Sequence, residues 1–285
     1  MHESRSGHAP LFRTFTRSRR MGKLFAVVLL LIAVGSAIPI LMHTWWMPEN
    51  ISSHGYMIDK QMSETMTESG IAFVAAQLVL AGFVAMFGDK KDGRKARHLP
   101  GGAKAVVIAA IALVGTEVLA LGVFGKDAWA EVYFKKAAAD ALPIQVQAEQ
   151  FGFYFRYAGP DGKFGPLHPD KIDEGNQNFF GLDPANDVES RDDIIAASLV
   201  IPVNKPISLM MHAKDVGHSF YVRELRIQQD FVPGLDIPMH FTATKVGKYE
   251  IVCTQLCGLG HYNMRAYLEV KSQEDFDQWL KQQSQ

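Results

Sequence analysis

"IPMHFTATKVGKYEIVCTQLCGLGHYNM", residues 237–264, changes character halfway along. Its first half alternates apolar and polar side chains and breaks at Lys-Val-Gly, the pattern of two short strands and a turn. Its second half gathers both of the chain's cysteines, a histidine and a methionine at short, uneven spacings. Strand-like runs of the same kind fill the chain from Pro143 onward: "IQVQAEQFGFYFRYAG", "IIAASLVIPVNKPISLMMHA", "SFYVRELRIQQDFVPG" and "MRAYLEVK", separated by Gly, Pro and Asn. Short strands with this punctuation imply an all-β sandwich or barrel over 143–271. "YAGPDGKFG" is turn chemistry leading into a polar stretch, 166–193, too irregular for strand or helix and expected to be an Ω-type excursion. "SQEDFDQWLKQQ" opens on Ser272 and acids and spaces Phe276, Trp279 and Leu280 on one face, which predicts a closing helix within 272–285.

Upstream the periodicity is different. Three apolar runs, about 24–42, 71–87 and 105–124, each approach the roughly 20 residues that a helix needs to cross a bilayer. The chain is expected to be a multi-pass membrane protein with its β domain as an extramembrane unit. Five basic residues from Arg13 to Lys23 mark 1–23 as a basic cytoplasmic tail, and the loop "DKKDGRKARH" after the second run is basic too. The stretch 44–70 holds only Lys60 among four acids, so everything after the third run is expected on the outer, periplasmic side of a bacterial-type inner membrane. Trp45, Trp46 and Trp129 fall at the outer interface in that arrangement. A basic segment before an apolar core also fits a cleaved signal peptide, although the run is long for one and "SAIPILMH" offers no clean small-x-small site.

With 48% hydrophobic residues and a formal charge of −1 over 285 residues, the chain has core enough for such a domain and no basic surface for nucleic acid. Two cysteines four apart in an oxidising compartment can form a disulfide. That reading gives no reason for His261 and Met264 to follow Cys257 at four and seven residues. Thiolate, imidazole and thioether together are the soft set that copper takes in electron-transfer sites, whereas thioether is a poor zinc ligand. A mononuclear site needs one Cys, so the second is surplus to it; two thiolates can bridge two coppers. His168, His212, His218 and His240 are the available second histidines.

"KDVGHSFYVRELRIQQDFVPG" followed by "GKYEIVCTQLCGLGHYNM" resembles the binuclear copper-A domain of cytochrome c oxidase subunit II, with its D-V-x-H-S-F and C-x-x-x-C-G-x-x-H-x-x-M patterns. The resemblance covers about 143–270 and implies a cupredoxin-like Greek-key sandwich anchored by membrane helices. It implies two copper ions, with His218 and His261 each on one copper and Cys253 and Cys257 bridging both. Met264 would be a weak ligand, and the backbone carbonyl of Gln255 would complete the set. By the same resemblance, electrons arrive from cytochrome c or a similar carrier and pass to the haem-copper subunit I, which reduces oxygen and pumps protons; catalysis lies in that partner. No C-x-x-C-H occurs, so no c-type haem attachment is expected in this chain.

Four features depart from the family's usual pattern. Gln255 stands where most members have a glutamate that reaches towards an interface magnesium; an amide is a weaker ligand for a hard dication, which puts the magnesium site, unlike the copper site, in question. Phe151, in "EQFGFYFRY", stands where the family's electron-entry tryptophan lies, while Phe153 and Phe155 read as core. Three helices replace the usual two. Glu117, an acid inside the third run, is a candidate for a proton path. It lies about 18 Å along its helix, whereas the family's glutamate is near the cytoplasmic start, and pairing with a neighbouring subunit is the alternative. The excursion's nine acids against three bases between Asp161 and Asp193 form either a surface that steers a basic donor or a loop that merely faces water. A copper-A subunit of a nitric oxide reductase and a membrane-anchored copper carrier are the rival functions.

Overall fold

The computed structural model describes residues 18–42, 47–87 and 104–283. Most of the basic tail, the Trp45–Trp46 pair and the basic 88–103 loop lie outside the described residues. Three of the described helices are long and apolar enough to cross a membrane: α1 (Ser18–Leu41), α2 (Gly55–Phe87) and α3 (Lys104–Trp129). Most of their apolar side chains are exposed, as a lipid-facing surface requires.

Helix α2 starts at Gly55 rather than at the apolar Ile71. Its 33 residues extend roughly 50 Å, well beyond a hydrocarbon core of about 30 Å. The polar first half has no proline and carries Met57, Met62, Met66, Glu64 and Glu68, which favour helix; hydropathy registers only the apolar half. Helix α3 likewise runs past the apolar segment, through Lys126 and Asp127, and ends in a π-turn at Ala130–Phe134.

The chain divides into two compact units. In the first, which contains α1 and most of α2, Ala26, Leu29 and Ala33 of α1 and Ala81 of α2 are buried. A Cβ at Gly70 would come within 3.0 Å of Ile40, so small residues permit close helix approach, as is usual where no water drives packing.

The second unit is a β-sandwich of two five-stranded sheets. One sheet is built from β1 (Leu142–Glu149), β2 (Gly152–Tyr157), β3 (Ile194–Ala196), β5 (Pro206–Ala213) and β8 (Ile237–Thr242), in the order β3-β2-β1-β5-β8. The other is built from β4 (Leu199–Pro202), β6 (His218–Val222), β7 (Ile227–Phe231), β9 (Gly247–Val252) and β10 (Arg265–Lys271), in the order β4-β10-β9-β6-β7. Parallel pairs β1–β5 and β4–β10 sit among antiparallel neighbours. The inward residues of the alternating runs meet between the sheets: Val146, Phe155 and Leu209 from one, Ile201, Phe220, Ile251 and Leu268 from the other, all fully buried. Each such side chain contributes about 1.5–3 kcal/mol by leaving water. The Tyr157 hydroxyl donates to the Val200 carbonyl at 3.0 Å and ties β2 to β4. Helix α4 (Gln273–Gln283) closes one end, with Phe276 buried and Trp279 edge-on to Tyr157.

Two segments that look like connections are built into this unit. In the linker before α2, Ile51 is wholly buried; its N–H donates to the Glu224 carbonyl at 3.0 Å and its carbonyl accepts from Thr244 at 2.7 Å. Arg226, at φ +60°, donates to the Asp59 carboxylate at 2.6 Å and to the Pro48 carbonyl. The 166–193 excursion is pinned at its base by a fully buried Arg156–Asp193 ion pair, with Arg156 also donating to the Gly165 carbonyl at 2.6 Å.

Candidate metal centre

Register explains how the soft donors meet. Val252 of β9 faces Arg265 of β10, so Cys253 and Met264 begin and end the connecting loop side by side, with the Cys253 N–H donating to the Met264 carbonyl at 3.2 Å. Tyr221 of β6 faces Val252, and His218, three residues earlier, therefore comes level with the loop. The Cys253 and Cys257 sulfurs are 3.9 Å apart, and both cysteines are free; a disulfide would need about 2.05 Å. Cys257 Sγ lies 3.5 Å from His261 Nδ1 and 3.7 Å from Met264 Sδ, and Cys253 Sγ lies 3.1 Å from the Gln255 carbonyl oxygen. His218 presents a ring nitrogen within 4.8 Å of both sulfurs.

The cluster is suited to a metal because it is unsatisfied without one. His218 is 0% exposed, its Nε2 is held at 2.8 Å by Asp215 Oδ1, and its buried Nδ1 has no hydrogen-bond partner. A carboxylate on one ring nitrogen fixes the proton there and leaves the other as a bare donor, the usual outer-shell device of metal-bound histidines. Burial, and then the neighbouring Cys253, push the Cys257 thiol up to about 11, a cost that a cation between the sulfurs removes. Thiols, imidazoles and a thioether form a set fitted to copper.

Asp215 organises more than the histidine. Burial opposes its ionisation, but hydrogen bonds from His218 and from the N–H groups of Gln150 and Val216 hold it below the usual carboxylate range. Gln150 also donates from its side-chain amide to the Cys257 carbonyl at 2.6 Å. Neither residue was assigned a role from sequence. Asp215 is visible in D-V-x-H and Gln150 in the Gln-Trp-x-Trp segment that "EQFGFYFRY" resembles, but Gln150 is 65 residues from Asp215 and 107 from Cys257, and no spacing ties it to either.

Phe151 is 44% exposed and its ring lies against Gly258 and Gly260 of the loop that carries the cysteines. A Cβ at Gly260 would come within 2.5 Å of that ring, and Gly258, at φ +132°, is free to turn beneath it only as glycine. Phe153 and Phe155 are buried, as expected of the strand's inner face. Glu117 is half-buried in α3 and is not part of the cluster. A second group of possible ligands, His168, Asp183 and Asp187, is already internally paired: His168 with Asp187 at 2.6 Å, and Asp183 with Lys171 and Asn186.

A membrane-anchored, cupredoxin-like sandwich with a soft donor cluster where the β9–β10 loop meets the start of β6 defines the class of protein. Residues 183–271 match the family described as cytochrome c oxidase subunit II, periplasmic domain. The alternative cytochrome c oxidase subunit 2 of Bradyrhizobium diazoefficiens is 32% identical over 260 residues, covering 90% of this chain and 91% of that protein. The cytochrome c oxidase subunit 2 of Thermostichus vulcanus is 45% identical over 89 residues, covering 31% of this chain and 27% of that one. Among solved structures, the periplasmic domain of subunit II of the Bradyrhizobium japonicum cytochrome oxidase aligns at 25% identity and a TM-score of 0.37, covering 52% of this chain and 95% of that domain. The chain belongs to the cytochrome c oxidase subunit II family.

Proposed function

We propose that this chain is the electron-accepting subunit of a terminal oxidase, holding two copper ions between Cys253, Cys257, His218, His261, Met264 and the Gln255 carbonyl. The convergence of two free buried thiols with the orphaned Nδ1 of His218 carries the reading. Such a pair of coppers, when bound, supplies a one-electron relay between an outer donor and haem in another subunit. The protein's part is to hold the ligands still, so that little rearranges when an electron arrives. Cys253 and Cys257 would hold both ions through their sulfurs, His218 and His261 would each hold one through a ring nitrogen, and Met264, buried against Cys257, would tune more than it holds.

Cytochrome c or a similar carrier donates at the face where Phe151 is exposed, and the partner in the membrane is the haem-copper subunit that reduces oxygen and pumps protons. The backbone carbonyl of Gln255 would serve copper whatever its side chain, while the exposed neutral amide is a weak ligand for a hard dication, so a magnesium site forms no part of the proposal. Glu117 is retained only as a candidate for proton entry. A copper carrier needs ligands that open for hand-over, and a buried, hydrogen-bonded seat disfavours that reading. The test is metal analysis and electron paramagnetic resonance of the full chain purified with its membrane partners. Two coppers per chain sharing one unpaired electron, together with haem in the complex, are expected; one copper with a mononuclear blue spectrum overturns the proposal.

A further inference from the structure

The turn between β1 and β2 supplies no metal ligand, yet it is bonded to both segments that do. At Gln150 the backbone N–H donates to Asp215 Oδ2 at 2.8 Å, and the side-chain amide donates to the Cys257 carbonyl at 2.6 Å. Asp215 uses its other oxygen for His218 Nε2 and the Val216 N–H. A glutamine on an exposed turn ordinarily spends its amide on water; here it is directed at the carbonyl preceding Gly258. A side chain on Gly258 would disturb this contact, since φ is +132° there, strained for any residue with a Cβ, and that Cβ would lie 2.8 Å from Gln150 Nε2 and displace it.

We infer that Gln150 is a positioning residue of the metal centre, which sets the Cys257 loop and, through Asp215, the His218 ring in a single frame. The inference rests on the copper reading above. The backbone bond leaves Asp215 one oxygen for the histidine and so fixes the carboxylate plane. The side-chain bond orients the peptide after Cys257 and with it the direction of Sγ. A thiolate ligand and an imidazole ligand from segments far apart in the chain thus share one anchor. Because Gln150 precedes Phe151, that anchor is continuous with the exposed ring over the loop.

Gln147, in β1, provides an internal control: its amide also donates to a backbone carbonyl, that of Phe179, but that carbonyl lies in the excursion. The experiment compares Gln150→Leu, Gln150→Glu and Gln147→Leu in the full chain purified with its partners, reading hyperfine splitting, visible bands, midpoint potential and copper release to a chelator. Gln150→Leu keeps the backbone bond and removes only the side-chain donor. It is expected to retain two coppers, shift the spectrum and the potential, and release copper roughly 10-fold faster, the lower end of what outer-shell changes cost. Gln150→Glu, which sets a carboxylate against the Cys257 carbonyl, should shift both further and keeps the test alive if the leucine variant accumulates poorly. Gln147→Leu should match the parent. Parent-like spectra and release in the copper-loaded fraction of either Gln150 variant, or an equal shift in Gln147→Leu, overturn this inference alone. A parent chain lacking the two-copper signal overturns the copper reading, and this inference with it.

Discussion

His218 shows how one side chain is prepared by another. Its ring is sealed from solvent, and only the Asp215 carboxylate determines which nitrogen carries the proton. Replacing Asp215 with Ala should leave the sandwich folded but weaken copper retention by about 10- to 100-fold in chelator competition. Unchanged retention would show that packing alone orients the ring. Ligand identity grades the remaining positions. Cys253→Ser or Cys257→Ser should abolish the two-copper spectrum, while Met264→Leu should keep both coppers and shift the potential, because a weak thioether tunes without holding. The candidate donor set was readable because five of its six members lie between Cys253 and Met264 and the sixth, His218, falls in the family's D-V-x-H-S-F pattern. The role of Gln150 was not readable, since it depends on a turn being folded against two loops more than sixty residues away.

At the level of elements, strands and spanning helices follow from period and hydropathy, and their limits do not. Helix α2 extends to Gly55 because its polar turns belong to the sandwich unit, where Asp59 meets Arg226, whose guanidinium is almost wholly buried. Arg226→Ala strips Asp59 and the Pro48 carbonyl of their donor at a cost of about 2 kcal/mol. The Ile51 and Ser53 amides should then lose roughly 30-fold of their hydrogen-exchange protection, the equivalent of that energy. Protection retained in full would assign the linker's order to Ile51 alone. The excursion was legible as a loop but not as a structured one, since ion pairs between its own residues carry no periodicity. Lys171 and Asn186 hold the Asp183 carboxyl below the usual range, and Asn176 does the same for Asp173. A depressed folded pKa gives stability that is present above the ordinary carboxylate value of about 3.9 and lost as pH falls through the folded value. Exchange mapped against pH should therefore show residues 168–187 opening on acidification before the β-sheets do. Simultaneous opening of both would remove the carboxylates from the loop's anchoring.

For the whole molecule, the order of three apolar helices and then a β domain follows directly from the sequence, and its orientation can be tested directly. An extracytoplasmic reporter should be active when fused after Gln285 and inactive after Arg97, the reverse being expected only if the positive-inside reading fails. How the assembled surface meets its donor is where sequence and structure diverge most. Counting charges makes the 161–193 stretch strongly acidic, and a field of that kind accelerates encounter with a basic protein by factors of 10 to 1,000, less so as salt rises. In the folded chain, however, Glu174, Asp183, Glu189 and Asp193 are paired with the cations Lys214, Lys171, Lys163 and Arg156 respectively. Around the metal loop the exposed side chains include the uncharged Leu256, Leu259 and Tyr262. Pairing within a few ångströms weakens the field of these acids, while Asp161, Asp170, Asp173 and Asp192 have no ion pair among the described residues; reduction by a basic cytochrome c should therefore fall by about tenfold, and not a hundredfold, from low to high salt. Lys171→Gln supplies the counter-test, because it leaves Asp183 unpaired by an ammonium without touching the metal loop; it should raise the low-salt rate, steepen the salt dependence and converge with the parent at high salt. A parent rate that falls a hundredfold, with Lys171→Gln no steeper, would mean that the paired acids steer the donor all the same.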